Sequence, residues 1–162
     1  MELMKKRINL LGKITGNEKG LTLIELLAVI VILAIISAIA IPAIGSVISG
    51  TKKKAHNANG ITAINAARFK AINDSPTVEK VYKLKDLVTE GYLEKIPSDP
   101  DVKGSTYGDE TSYVTVKLIG ITGNYSYSAT LAPSGTGALL YFKDKSEEHL
   151  TQGTEDAEPE TP

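Results

Sequence analysis

Lys19 to Pro42 reads KGLTLIELLAVIVILAIISAIAIP, and a single carboxylate, Glu25, stands at the mouth of an otherwise uncharged apolar run. No charge follows until Lys52. The Leu26 to Ile44 portion is long enough, at ~1.5 Å per residue, to cross most of a ~30 Å hydrocarbon layer. This is a membrane segment of some kind. A glutamate at its edge is unfavourable in lipid unless it gains a partner or stays neutral.

Working outward, the totals bound what the rest can be. The chain has 162 residues, 42% hydrophobic and 23% charged, which allows one modest globular domain with extras and no large enzyme core. Much of the apolar content lies between Leu21 and Ile48, so the remainder must build a light core from scattered Val, Ile, Leu and Tyr, without tryptophan and with only two phenylalanines. Cysteine is absent, which excludes disulfides, thiolate metal sites and a thiol nucleophile. The net charge of −1 hides an asymmetry. Lys5, Lys6, Arg7, Lys13 and Lys19 against Glu2 and Glu18 leave Met1 to Gly20 at +3 and the remainder at −4. A basic segment before an apolar run keeps that end cytoplasmic, so everything after Gly50 faces outward.

An apolar run of this kind reads in several ways. It can be a single-pass anchor. It can be a cleaved secretory signal, with Ala38 and Ala40 in an A-x-A arrangement before Ile41, although the basic region is long and Glu25 interrupts the apolar part. The third reading rests on Gly20 followed by Leu21, Thr22, Leu23, Ile24 and Glu25, with Lys19 before the glycine and a long apolar helix interrupted by Pro42 after it. This pattern resembles the processing site of type IV prepilins and pseudopilins.

The resemblance implies that a membrane peptidase cuts after Gly20 and methylates the new N-terminus at Leu21, and that the apolar helix is kept. The family usually has phenylalanine where this chain has Leu21; cleavage yields a free amine either way. It further implies that Glu25, one helical turn from that amine, draws in the N-terminus of an incoming subunit, docking that low dielectric favours. Pro42 removes a backbone hydrogen bond and clashes with the previous turn, so a kink is expected around Ala38 to Pro42, loosened further by Gly45 and Gly50. In the family this segment lets the helix stretch on entering a filament.

Past Gly50, Ala58, Ile61, Ile64, Phe69 and Ile72 fall on one side of a helical wheel, interrupted by Asn65 and Arg68. They predict an amphipathic continuation of the same helix, ending near Asn73 and Asp74 with Pro76 behind. Lys52, Lys53 and Lys54 lack interleaved aromatics for base stacking, so they read as a solvated or lipid-headgroup face; DNA binding is not indicated. His56 and His149 stand without acidic or cysteine companions at ligand spacing. A short helix is expected from Leu84 to Glu90, stopped at Gly91, then a proline-punctuated loop. The piece LVTEGYLEKIPSDP, Leu87 to Pro100, is similar to the segment after the long helix in several Gram-positive pilins and major pseudopilins. Asp99, Asp101, Asp109 and Glu110 cluster in sequence, and some pseudopilins bind calcium in the corresponding region. Oxygen ligands suit calcium, but the spacing is not that of an EF-hand, and acids beside Pro and Gly are ordinary turn formers.

Strands are expected at Ser112 to Leu118, Tyr125 to Leu131 and Ala138 to Lys143, with GITGN and APSGTG as turns. Val114, Val116 and Leu118 alternate with polar neighbours, and Tyr125, Tyr127, Ala129 and Leu131 form one row. From Ser146 the chain is acidic and apolar-poor, as a disordered tail would be. The expectation is therefore α+β: a leader at 1–20, an apolar helix at 21–50 protruding from a head at 51–145, and a tail at 146–162. Within the head, an amphipathic helix at 51–73 and a loop at 74–111 precede a meander at 112–143, about three antiparallel strands laid over the helix. No nucleophile with its base, spaced carboxylate pair or phosphate loop emerges, so the chain is read as no enzyme. The resemblance implies a structural subunit that polymerises with itself into a type IV pilus-like filament. Its partners would be the prepilin peptidase and methyltransferase, an assembly platform protein and an ATPase, with the membrane as host before assembly and the cell surface as destination. The alternatives are a pseudopilin of a type II secretion or competence system, or a minor pilin that binds a ligand.

Overall fold

The computed structural model describes residues 18–120, 123–135 and 139–153. The leader ahead of residue 18, the turn residues 121–122 and 136–138, and the end of the tail lie outside them, as do the side chains of Glu18, Lys19 and Leu21. The chain divides into two compact units, 1–48 and 49–162. Helix α1, Glu18–Asp74, supplies the described part of the first and the opening element of the second.

In the first unit α1 stays helical on both sides of Pro42. Proline has no N–H, so the carbonyl of Ala38 lacks its usual helical donor. Ser46 Oγ donates to the Ala43 carbonyl at 2.8 Å, in the turn that follows the proline.

The second unit builds a head around the remaining turns of α1. Strand β1 (Lys80–Lys83) leads into α2 (Leu84–Thr89); β2 (Tyr113–Ile119), β3 (Asn124–Leu131) and β4 (Phe142–Ser146) follow, and α3 (Glu147–Gln152) ends the described chain. The sheet order is β1-β2-β3-β4, each strand antiparallel to the next. Register puts Val114 opposite Ala129 and Val116 opposite Tyr127, so the two rows expected from alternation lie on one sheet face. Val114, Val116, Ala129 and Leu131 are fully buried on it, with Tyr82 and Phe142 from the flanking strands also in the core. The β3–β4 ladder slips between Ala129 and Leu131, where the fully buried Thr130 accepts from the Asp144 amide at 3.0 Å. The bulge thus leaves the Thr130 hydroxyl satisfied.

Four expectations need correction. The wheel put Phe69 and Ile72 in the core, but they are 65% and 66% exposed, and Ala58 is exposed too. The buried face of α1 is instead carried by Ala63, Ile64, Ala66, Ala67 and Ala71. Small side chains let the sheet and loops approach the helix axis, and a wheel weighted by hydrophobic bulk misses them. At Gly60 the approach is closest: a Cβ would stand 2.9 Å from both Leu150 Cδ1 and Phe142 Cζ. Second, the stretch expected as loop between α1 and the meander contains β1, a fourth strand paired with β2. Third, the acidic tail does not begin at Ser146, because Glu147–Gln152 is helical and buries Leu150 against the core. Ser146 Oγ caps α3 by accepting from the His149 amide, and Gly153 ends it at φ 62°. Fourth, the last strand lies later than expected, at Phe142–Ser146 rather than Ala138 to Lys143.

Candidate functional site

The apolar half of α1 is the feature a soluble fold does not explain. Every large aliphatic side chain from Leu23 to Ile48 is between 48% and 71% exposed. Removing one such side chain from water is worth about 1.5–3 kcal/mol. Over the whole run the exposed surface represents tens of kcal/mol, several times the roughly 5–15 kcal/mol by which a domain is stable. Lipid or other apolar helices must cover it. By length and composition this helix is able to cross a membrane. Glu25 lies exposed within it, four residues after Leu21, which places the carboxylate one turn along from the start of the apolar run.

In the head, the sequence-flagged acids do not converge as one set. Glu110 is held by Lys83 at 2.6 Å and Lys85 at 2.9 Å, which lower its carboxyl to about 2. Asp109 Oδ1 accepts the Glu110 amide, as a turn former does. Asp99 and Asp101 meet a residue that sequence reading dismissed, His56 of α1. His56 Nε2 lies 3.0 Å from Asp101 Oδ2, and Nδ1 lies 2.7 Å from the Tyr107 hydroxyl. Asp101 only accepts, so Nε2 carries a proton; in the neutral ring Nδ1 then accepts from Tyr107. Asn59 donates to the same hydroxyl at 3.1 Å, and Tyr141 stacks on the imidazole with ring centres 4.0 Å apart. Burial pushes the Tyr107 phenol up to about 12, and Tyr141 rises through burial and its 2.6 Å hydrogen bond to Asp99.

His56, Asp99 and Asp101 are close enough to share a cation, their ligand atoms all lying within 4.8 Å of one another. The same atoms are already engaged by the protein. Lys52 pairs with Asp101 Oδ1 at 3.0 Å, and Asp99 Oδ1 accepts the Asp101 amide at 2.8 Å while its Oδ2 takes the Tyr141 hydroxyl. His56 and Lys52 both hold the Asp101 carboxyl below the usual range, the histidine hydrogen bond more strongly. The chemistry available here is fastening: the group pins the 98–107 loop and Tyr141 onto α1. Sequence spacing could not show it, since the contact spans 45 residues between His56 and Asp101.

A second fastening missed in the sequence is Lys70, which is only 8% exposed. It pairs with Glu90 and, at 3.4 Å, with Asp74, and its ammonium lies 5.4 Å from the ring centres of Tyr82 and Tyr92. The Glu90 hydrogen bond raises its pKa. A buried cation needs such partners. Ser146 Oγ lies 2.8 Å from His149 Nδ1, a surface contact in which the same hydroxyl also caps α3.

Residues 15–41 match the family described as a prokaryotic N-terminal methylation motif. The match ends one residue before Pro42 and contains Gly20, Leu21 and Glu25. No curated protein and no solved structure matches the chain.

Proposed function

We propose, from the premise of a type IV prepilin or pseudopilin that the methylation motif supports, that this chain is a structural subunit of a type IV pilus-like filament. It is processed after Gly20, methylated at Leu21 and polymerised through α1. The observation that carries the reading is the uncovered aliphatic surface from Leu23 to Ile48 on a helix that opens with the motif. In the membrane, lipid covers that surface; in the filament, identical helices do, through a head-to-tail contact that repeats without closing.

Glu25 fits this reading as the group that pairs with the α-amine freed at Leu21. In a low-dielectric surround an unpaired carboxylate is disfavoured, so a neighbouring amine is attracted to it and fixes the axial register of the incoming subunit. The peptidase, the assembly platform and the ATPase are separate proteins, and the chain itself performs no catalysis.

The test is Glu25→Ala expressed in the native host. The reading predicts normal insertion and normal cleavage after Gly20, with filaments lost or reduced at least tenfold, counted by electron microscopy of sheared surface material. Wild-type piliation in that variant would remove the assembly role assigned to Glu25.

A further inference from the structure

The lysine triplet Lys52, Lys53 and Lys54 has no part in the reading above. We infer that it forms, with Lys145 of β4, a docking surface for the phosphate headgroups of anionic phospholipid, on the membrane in which α1 is embedded before assembly. The inference rests on the reading of the Leu21 to Ile48 helix as a membrane segment.

Several observations converge on it. Lys52 and Lys53 line one shallow cleft with Lys145, and Ser49, His56 and Tyr141 complete much of its wall. The charge is not offset along the helix, because α1 has no Asp or Glu between Glu25 and Asp74. An ordinary solvated helix face carries carboxylates three or four residues from its lysines. Elsewhere in the head many lysines have carboxylate partners: Lys70 with Glu90, Lys80 with Asp74, Lys83 and Lys85 with Glu110, and Lys117 with Glu79. Among the described residues Lys53 and Lys54 are exposed and make no ion pair. Lys52 is tied to Asp101, which restrains one edge of the surface rather than neutralising the triplet.

Position selects the partner. The triplet begins four residues after Ile48, about 6 Å along an α-helix, and ends about 9 Å along it. Anionic headgroups of the outward leaflet at the end of the apolar run therefore lie within about one Debye length, ~8 Å at physiological salt, where lysines are attracted to them. Nucleic acid offers the same phosphate chemistry. It is disfavoured because no aromatic residue stands among the three lysines, and the rings in the cleft wall, His56 and Tyr141, already stack on each other with centres 4.0 Å apart.

The test uses the full-length protein and the double variant Lys53→Gln, Lys54→Gln. Both side chains are exposed and without ion pairs, so the variant keeps the fold. Flotation with phosphatidylcholine vesicles first establishes insertion. Native mass spectrometry from mixed phosphatidylcholine and phosphatidylglycerol micelles then reads which lipid each protein retains. The leader cations are common to both proteins and set a shared background. At about fivefold per lysine, the wild type should favour phosphatidylglycerol roughly 25-fold more than the variant does, and added salt should erase the difference. Equal lipid ratios in proteins that float would overturn the proposal alone. Failure to float would overturn the membrane reading and the proposal with it. Lysine-dependent binding of a short DNA duplex, without phosphatidylglycerol selectivity, would overturn it in favour of nucleic acid.

Discussion

Asp74 closes α1, at the end of a helix where the backbone dipole disfavours a negative charge. It is tolerated because Lys80 donates to it at 2.7 Å and Tyr82 at 3.0 Å, with Lys70 a further 3.4 Å away. The Lys80 hydrogen bond is the largest influence holding its carboxyl below the ordinary value of 3.8, ahead of the Tyr82 hydroxyl. A carboxyl lowered on folding stabilises the fold above its unfolded value, and that contribution is lost as pH falls through the folded value. Asp74→Asn should therefore lower Tm at neutral pH, and the gap from wild type should shrink as pH drops below about 4, read by thermal melts across a pH series. A gap that does not change with pH would mean the carboxylate charge is not what holds α1 to β1. His56 teaches the complementary lesson about legibility. One-dimensional spacing finds ligands that are near in sequence, and this histidine finds its carboxylate and its phenol in a loop that folding alone brings to it.

At the scale of elements, α1 was legible from end to end, because a long uncharged run and a helical period survive any tertiary context. Which face of its second half is buried was not. The packed face is made of alanines, whose weak hydrophobic signal is outvoted by Phe69 and Ile72, and those two point away from the core. In a filament subunit an exposed Phe69 is free to pack on a neighbouring copy. Phe69→Asp should thus leave the unfolding free energy of the head within about 0.5 kcal/mol of wild type, as surface changes do, while reducing filament yield. A large loss of Tm would instead place Phe69 in the core. Strand β1 escaped notice because four residues, KVYK, carry one buried side chain, Tyr82, and too short an alternation to register. Strands β2 and β3 were legible because their rows are longer and richer in Val and Tyr. Helix α3 was hidden by composition: six polar-looking residues fold because Leu150 alone enters the core and Ser146 caps them.

For the whole molecule, the two units answer to different physics. The head has its own core, in which Leu84, Leu87, Val114, Val116 and Leu131 are fully buried, and it needs no disulfide. Truncating that core should behave as in any small domain: Leu131→Ala should cost about 2–5 kcal/mol, measured by denaturant unfolding followed through tyrosine fluorescence. A loss under about 1 kcal/mol would mean that the β3 row is not a central part of the core. The apolar half of α1 has no such core and is covered only by what surrounds it, which ties its fate to processing. If the leader is removed after Gly20, the helix is retained and the aliphatic surface becomes available for assembly. The most direct measurement is the N-terminal sequence and intact mass of the mature protein from its native host. The account predicts a chain beginning at Leu21 and heavier by one methyl group than its sequence. A chain beginning at Ile41, which would discard the helix, or at Met1, which would leave the amine of Leu21 unmade, would contradict it.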